Sequence, residues 1–219
     1  MKTRTLLTAL VYRGAALLLG VGLAGMSGCA AGPGTQELTL RSTGQNKSFV
    51  QQFANAYIGR AGDGDVDVVL VDRATEQRLD GGVAGSPQAP VRQVMHLRIL
   101  WNPKRDQKAD HSVASNATVH WYVMGNTPST AAGVLEYSGT AFVTLDEDAE
   151  PAELTIRNAS MRPVACRGGL CDPVGASTLA GTVRARADRH RVYQALDTVR
   201  TAIAAAATAK PESASSMAR

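Results

Sequence analysis

The chain has 219 residues, 44% hydrophobic and 19% charged, a balance that suits one domain with a filled core and excludes a disordered polymer. Its 23 Lys and Arg against 19 Asp and Glu give a net charge of +4, but Lys2, Arg4 and Arg13 supply three of those cations, so the chain beyond them carries +1. A near-neutral surface with no basic run interleaved with aromatics has no counterion-release drive toward nucleic acid, which excludes that class of partner.

In chain order, the first element is an export signal. Lys2, Arg4 and Arg13 form a positive start, and Gly14 to Gly25 is an uncharged stretch holding Leu17, Leu18, Leu19, Val21 and Leu23. The stretch is too short to span a bilayer, which needs about 20 apolar residues. Met26, Ser27 and Gly28 then lead into Cys29: small side chains fit a peptidase cleft, and the thiol supplies a point of lipid attachment. In these residues the chain resembles a bacterial lipoprotein precursor, whose lipobox usually reads Leu, a small residue, Gly or Ala, then Cys, with Met26 standing at the Leu position. The resemblance covers only the first 29 residues. It implies a diacylglyceryl thioether on Cys29, cleavage before it, and acylation of the new amine with a palmitate-type chain. Each buried CH₂ contributes about 0.8 kcal/mol, so two or three chains anchor far more firmly than one. Ala30, rather than Asp, follows the cysteine, which in lipoproteins of two-membrane bacteria implies transfer to the outer membrane, facing the periplasm. The expected organisation is a signal peptide over 1–28, a lipidated tether over 29–36, one β-rich domain with a C-terminal helix over 37–210, and a disordered polar tail over 211–219.

Between tether and tail, apolar and polar residues alternate in runs separated by Gly, Asp, Pro and Asn. The runs predict strands at 37–42, 48–58, 66–73, 91–102, 115–125, 133–146, 152–165 and 178–188. The predicted class is mainly β, an antiparallel sheet of about eight strands, either a sandwich or a small barrel. Parity assigns faces. Ala117, Val119, Trp121 and Val123 point inward with Thr118, His120 and Tyr122 outward; Leu135, Tyr137, Ala141, Val143 and Leu145 point inward with Glu136, Ser138, Thr140 and Thr144 outward. Trp101 falls on an inward face by the same rule. Residues 66–71 are apolar on both faces, which predicts a strand covered on both sides.

The cover is one C-terminal helix. Asp188 can cap its start, Val192, Leu196, Val199 and Ile203 share a face, and Pro211 lies beyond its end. The alanines at 204–207 have little to bury and are the expected place for fraying.

Candidate chemistry sits on the outward face of the central strands. Parity gathers Arg92, His96 and Arg98 with Thr118, His120 and Tyr122 and with Glu136, provided neighbours in sequence are neighbours in the sheet. Such a group can take a metal through neutral imidazole nitrogens, use a histidine as general base oriented by Glu136, or be a solvated polar face. His96, His120, Tyr122 and Glu136 are the candidate ligand-binding set; no catalytic residue, metal or cofactor is assigned. His111, in a polar loop with Asp106, Lys108 and Asp110, and His190, in the first turn of the helix, read as surface residues. Cys166 and Cys171 flank Arg-Gly-Gly-Leu, whose glycines permit a tight reversal, and read as a structural disulfide contributing about 2 kcal/mol. Asp63, Asp65 and Asp67 alternate like the start of a calcium loop but lack its Gly and late Glu, so they read as a turn. The acidic run Asp146, Glu147, Asp148 and Glu150 reads as a solvated hairpin loop.

Three functions fit: a non-catalytic envelope lipoprotein acting as a structural or interaction module with an envelope protein partner, a carrier of a lipid or small apolar ligand in a barrel similar to lipocalin-like folds in strand count alone, and a hydrolase or metal enzyme using His96, His120 and Glu136.

Overall fold

A computed structural model describes residues 35–82, 91–102, 115–127, 130–168, 170 and 172–208. The signal, Cys29, most of the tether, His111, Cys171 and the tail lie outside these residues.

The fold is mainly β, and its one sheet joins nine strands. In chain order they are β1 (Gln36–Ser42), β2 (Ser48–Phe53), β3 (Asn55–Arg60), β4 (Val66–Val71), β5 (Arg92–Ile99), β6 (Ala117–Thr127), β7 (Thr130–Asp146), β8 (Ala152–Arg167) and β9 (Ser177–Ala187), with helices α1 (Arg73–Leu79) after β4 and α2 (Arg189–Thr208) after β9. Only Ala54 separates β2 from β3, so the two replace the single strand expected over 48–58 and act as one bent strand.

The ladder closes on itself. From Ser177 in β9, successive cross-strand partners are Met161, Gly139, Val119, Leu97, Val68, Ile58 and then Ala187, back in β9 ten residues further along. That stagger is what strand tilt requires of a barrel, and it decides between sandwich and barrel. Neighbours are antiparallel except where β3 meets β9, at Tyr57 and Ile58. Beyond that short step the β1–β2 hairpin takes over, with β1 pairing along the first half of β9.

Every strand sends side chains into one buried apolar cluster inside the barrel. The predicted inward sets of β6 and β7 all belong to it, and the Trp121 and Tyr137 rings stack at 4.9 Å. Gly139 is the inward residue between Tyr137 and Ala141, and a Cβ there would collide with the Ser160 carbonyl of β8, so only glycine lets the two strands approach. Trp101 corrects the parity reading: β5 ends at Ile99, and Trp101, past that end, is 49% exposed.

A second cluster lies outside the barrel, under α2. Val69 and Val71 of β4, Val94 of β5, Met124 of β6 and Val134 of β7 meet Val192, Ala195 and Val199 of the helix. β4 is therefore covered on both sides, as its sequence implies. The Asp188 carboxylate accepts from the Arg191 N–H at 3.0 Å, capping α2 as expected. The helix starts hard against β3, because a Cβ on Gly59 would lie 3.1 Å from the Arg189 Cα. The alanine run does not end it: the helix continues to Thr208, and Ala206 is buried. α1 is unforeseen. Asp72 caps it by accepting from the Thr75 N–H at 2.8 Å, a signal readable in Asp72-x-x-Thr75 but outweighed by the apolar strand before it.

Candidate functional site

The outer face of β4 to β7 changes character over a single step of strand parity. On β4, β5 and β7 one residue lies under α2 and the next outward residue does not: Val69 then Asp67, Val94 then His96, Val134 then Glu136; on β6 both Met124 and Tyr122 pack against that cluster and the change comes at His120. These residues form a row with Tyr122 at its helix side. His96 and His120 are direct cross-strand partners, as are Tyr122 and Glu136. The four predicted ligand-binding residues therefore do come together.

Their partners order them. His96 Nε2 lies 2.8 Å from the Asp67 carboxylate and His120 Nδ1 lies 3.2 Å from the Glu136 carboxylate. The two rings are nearly parallel, 27° apart, with centroids 6.4 Å apart. The His120 ring also lies parallel to the Tyr122 ring at 6.0 Å. All are partly buried, His96 at 16% exposure and His120 at 32%, so solvent reaches the row without flooding it. Burial, then the Glu136 charge and its hydrogen bond, together raise the Tyr122 phenol to about 12. A carboxylate thus engages one nitrogen of each imidazole; in a neutral imidazole that donates to a carboxylate, the other nitrogen is an acceptor.

Sequence parity missed Asp67, which is the partner of His96. The signal was there, since Asp67 shares an outward face with Val69, but the apolar residues around it drew the reading toward a strand covered throughout. Other members of the expected group separate. Arg98 turns to the start of β4, donating from Nε to Asp65 at 2.7 Å and from its terminal nitrogen to Asp63; this explains the acidic alternation as a turn pinned by an arginine. Arg92 sits by α1, where burial and then the Arg78 charge lower its pKa. Among the described residues, no three His, Cys, Asp or Glu side chains converge as a metal cage.

Elsewhere, Asn116 braces the barrel end. Its amide donates to the Trp101 and Val143 carbonyls and accepts from the Val143 N–H, all within 2.9 Å. Tyr137 donates to Asp172. Burial acts to raise the Asp172 pKa, but that hydrogen bond and those from the Gly175 and Val174 N–H groups outweigh it and hold the carboxylate low. Cys166 stands exposed near the end of β8 with its sulfur against the Leu170 carbonyl, and its expected partner Cys171 lies outside the described residues. Between α1 and α2 a cleft of about 430 Å³ is lined by Arg78, Leu79, Gln194 and Asp197 among others.

Away from α2, the wall formed by β7, β8, β9 and β1 is wet. Thr118, Thr140, Ser160, Thr178 and Arg41 are successive cross-strand partners, making a row of small hydroxyls ended by a guanidinium. Among the described residues no helix is long and apolar enough to cross a membrane. No protein-family model, curated protein or solved structure matches the chain.

Proposed function

We propose that this chain is a lipid-anchored cell-envelope protein of non-catalytic structural or interaction type, held through an acylated Cys29 in the outer membrane with its barrel in the periplasm. The leader and lipobox residues support the anchor. The observation that carries the non-catalytic reading is the barrel interior: all nine strands contribute to one buried apolar cluster, which leaves recognition to the outer surface. The wet wall of β7, β8, β9 and β1 then serves as the face for an envelope protein partner. It sets small hydroxyls among exposed arginines such as Arg162, Arg184 and Arg186, which favours hydrogen bonding and charge over a buried apolar hot spot.

A carrier is the second reading, favoured by the closed barrel alone, because a lipid or other apolar ligand would have to displace side chains such as Trp121, Tyr137 and Met161.

Native mass spectrometry of the chain extracted from membranes separates the two. The mass of a chain beginning at an acylated Cys29, with nothing further bound, is the expected result. A stoichiometric extra lipid makes it a carrier. In parallel, Cys29→Ser should move the protein out of the membrane fraction; retention there would sink the anchor.

A further inference from the structure

We propose that His96 and His120 form a two-imidazole site for a divalent transition-metal ion, with Asp67 and Glu136 as the carboxylates that orient them. The argument starts from which nitrogen each carboxylate holds. Asp67 comes from β4 and takes His96 Nε2; Glu136 comes from β7, on the opposite side, and takes His120 Nδ1. The strands lie in the order β4, β5, β6, β7, so the two carboxylates pull on the outer flanks of the pair. That leaves one uncommitted nitrogen on each of two cross-strand neighbours, Nδ1 of His96 and Nε2 of His120.

The distance fits. Two metal–nitrogen bonds of about 2.0–2.1 Å, with an imidazole at each end, reach about 6.5 Å between ring centroids when the bonds are collinear and less when they bend. The rings stand 6.4 Å apart and stacked, within that reach, and a change of ring orientation turns the two free nitrogens toward a shared ion. A carboxylate hydrogen-bonded to the far nitrogen fixes the tautomer with the lone pair toward the metal and raises its basicity, and both histidines have one. The pair is direct in register, so the rigid ladder of the barrel wall holds the two backbones in place without any loop.

The same geometry chooses the class of ion. Two neutral imidazoles suit copper, nickel and zinc rather than magnesium or calcium, and copper(II) should bind most tightly by the Irving–Williams order. Because no third side chain among the described residues converges on the pair, water completes the coordination, and the ion exchanges readily.

The test uses the full chain without any purification tag, in detergent, titrated with copper(II) or zinc(II) and followed by calorimetry, with copper electron paramagnetic resonance. Expected are one ion per chain, with micromolar or tighter affinity, and a spectrum showing coupling to two nitrogens. His96→Gln and His120→Gln should each weaken binding at least tenfold, while His190→Gln, on the exposed start of α2, should not change it. Asp67→Asn and Glu136→Gln, which keep shape and remove charge, should weaken it about 10- to 100-fold. Circular dichroism confirms that each variant is folded. Wild-type protein that binds no metal, binding unchanged by both histidine substitutions, or a spectrum with a single nitrogen would each overturn the proposal.

Discussion

The two halves of the outer surface of β4 to β7 are built on the same strands and the same parity, yet one is apolar and the other titratable. Under α2, Tyr57, Val69, Val71, Val94, Met124 and Val134 lie on the outside of the barrel as deeply buried as residues inside it. One outward position further along, Asp67, His96 and Glu136 are polar and partly open. A strand does not decide which of its outward residues is hydrophobic; the footprint of the helix packed across it does. The histidine row runs along the edge of that footprint, where side chains are dry enough to order but wet enough to exchange with solvent.

Placing a charge under α2 is the strongest way to break this comparison. Val71→Asp, fully buried under α2, should cost more than about 4 kcal/mol or prevent folding, because the carboxylate would be unpaired in an apolar cluster. Urea denaturation followed by circular dichroism measures it. A loss below 1 kcal/mol would mean that α2 is not held there. Asp188→Ala removes the cap of the same helix and should cost about 1 kcal/mol, read from the same transition.

A sharper probe sits on the boundary itself. Removing the Glu136 charge with Glu136→Gln should lower the Tyr122 phenol from about 12 toward the ordinary 10, leaving only the part due to burial. Absorbance titration at 295 nm against a Tyr122→Phe control reads this shift, and an unchanged Tyr122 would separate it from Glu136. The sign for stability follows. Tyr122 is raised in the folded state, so its contribution is complete below about 10, the unfolded value, and is lost as pH climbs through about 12. The smallest effect belongs to the wet wall. Thr140→Ala, on the exposed side of β7, should change stability by no more than about 0.5 kcal/mol, and a larger loss would show that the hydroxyl row supports the barrel.

Much of this arrangement was legible before any coordinates. Parity alone put Val119 and Trp121 inside and His120 outside, because in a closed sheet one face is always the core. It also gathered His96 and His120 on one face of consecutive strands; that the two are direct cross-strand partners was set by a register the sequence did not state. The partner of His96 was less legible. Asp67 reaches it diagonally across the ladder, from opposite Arg98, and a diagonal contact depends on a register that sequence does not state. Arg92 and Arg98 shared the right face but went elsewhere: Arg98 reaches Asp63 and Asp65, the nearest compensating charges, while Arg92 lies half-buried beside α1. Trp101 failed for another reason: alternation holds only while the strand is paired, and β5 stops at Ile99.

By itself, then, the sequence determined the mainly β class, the span of nearly every strand, the capped C-terminal helix and the inward set of the central strands. All of these are local, set by periods of two and 3.6 residues, by turn residues and by capping. Only the tertiary structure decided that the sheet closes, with β9 serving both edges, where α2 lies across the outside, and which carboxylate holds each histidine. Those depend on stagger and on packing between segments far apart in the chain, and nothing in the local pattern of residues encodes either directly.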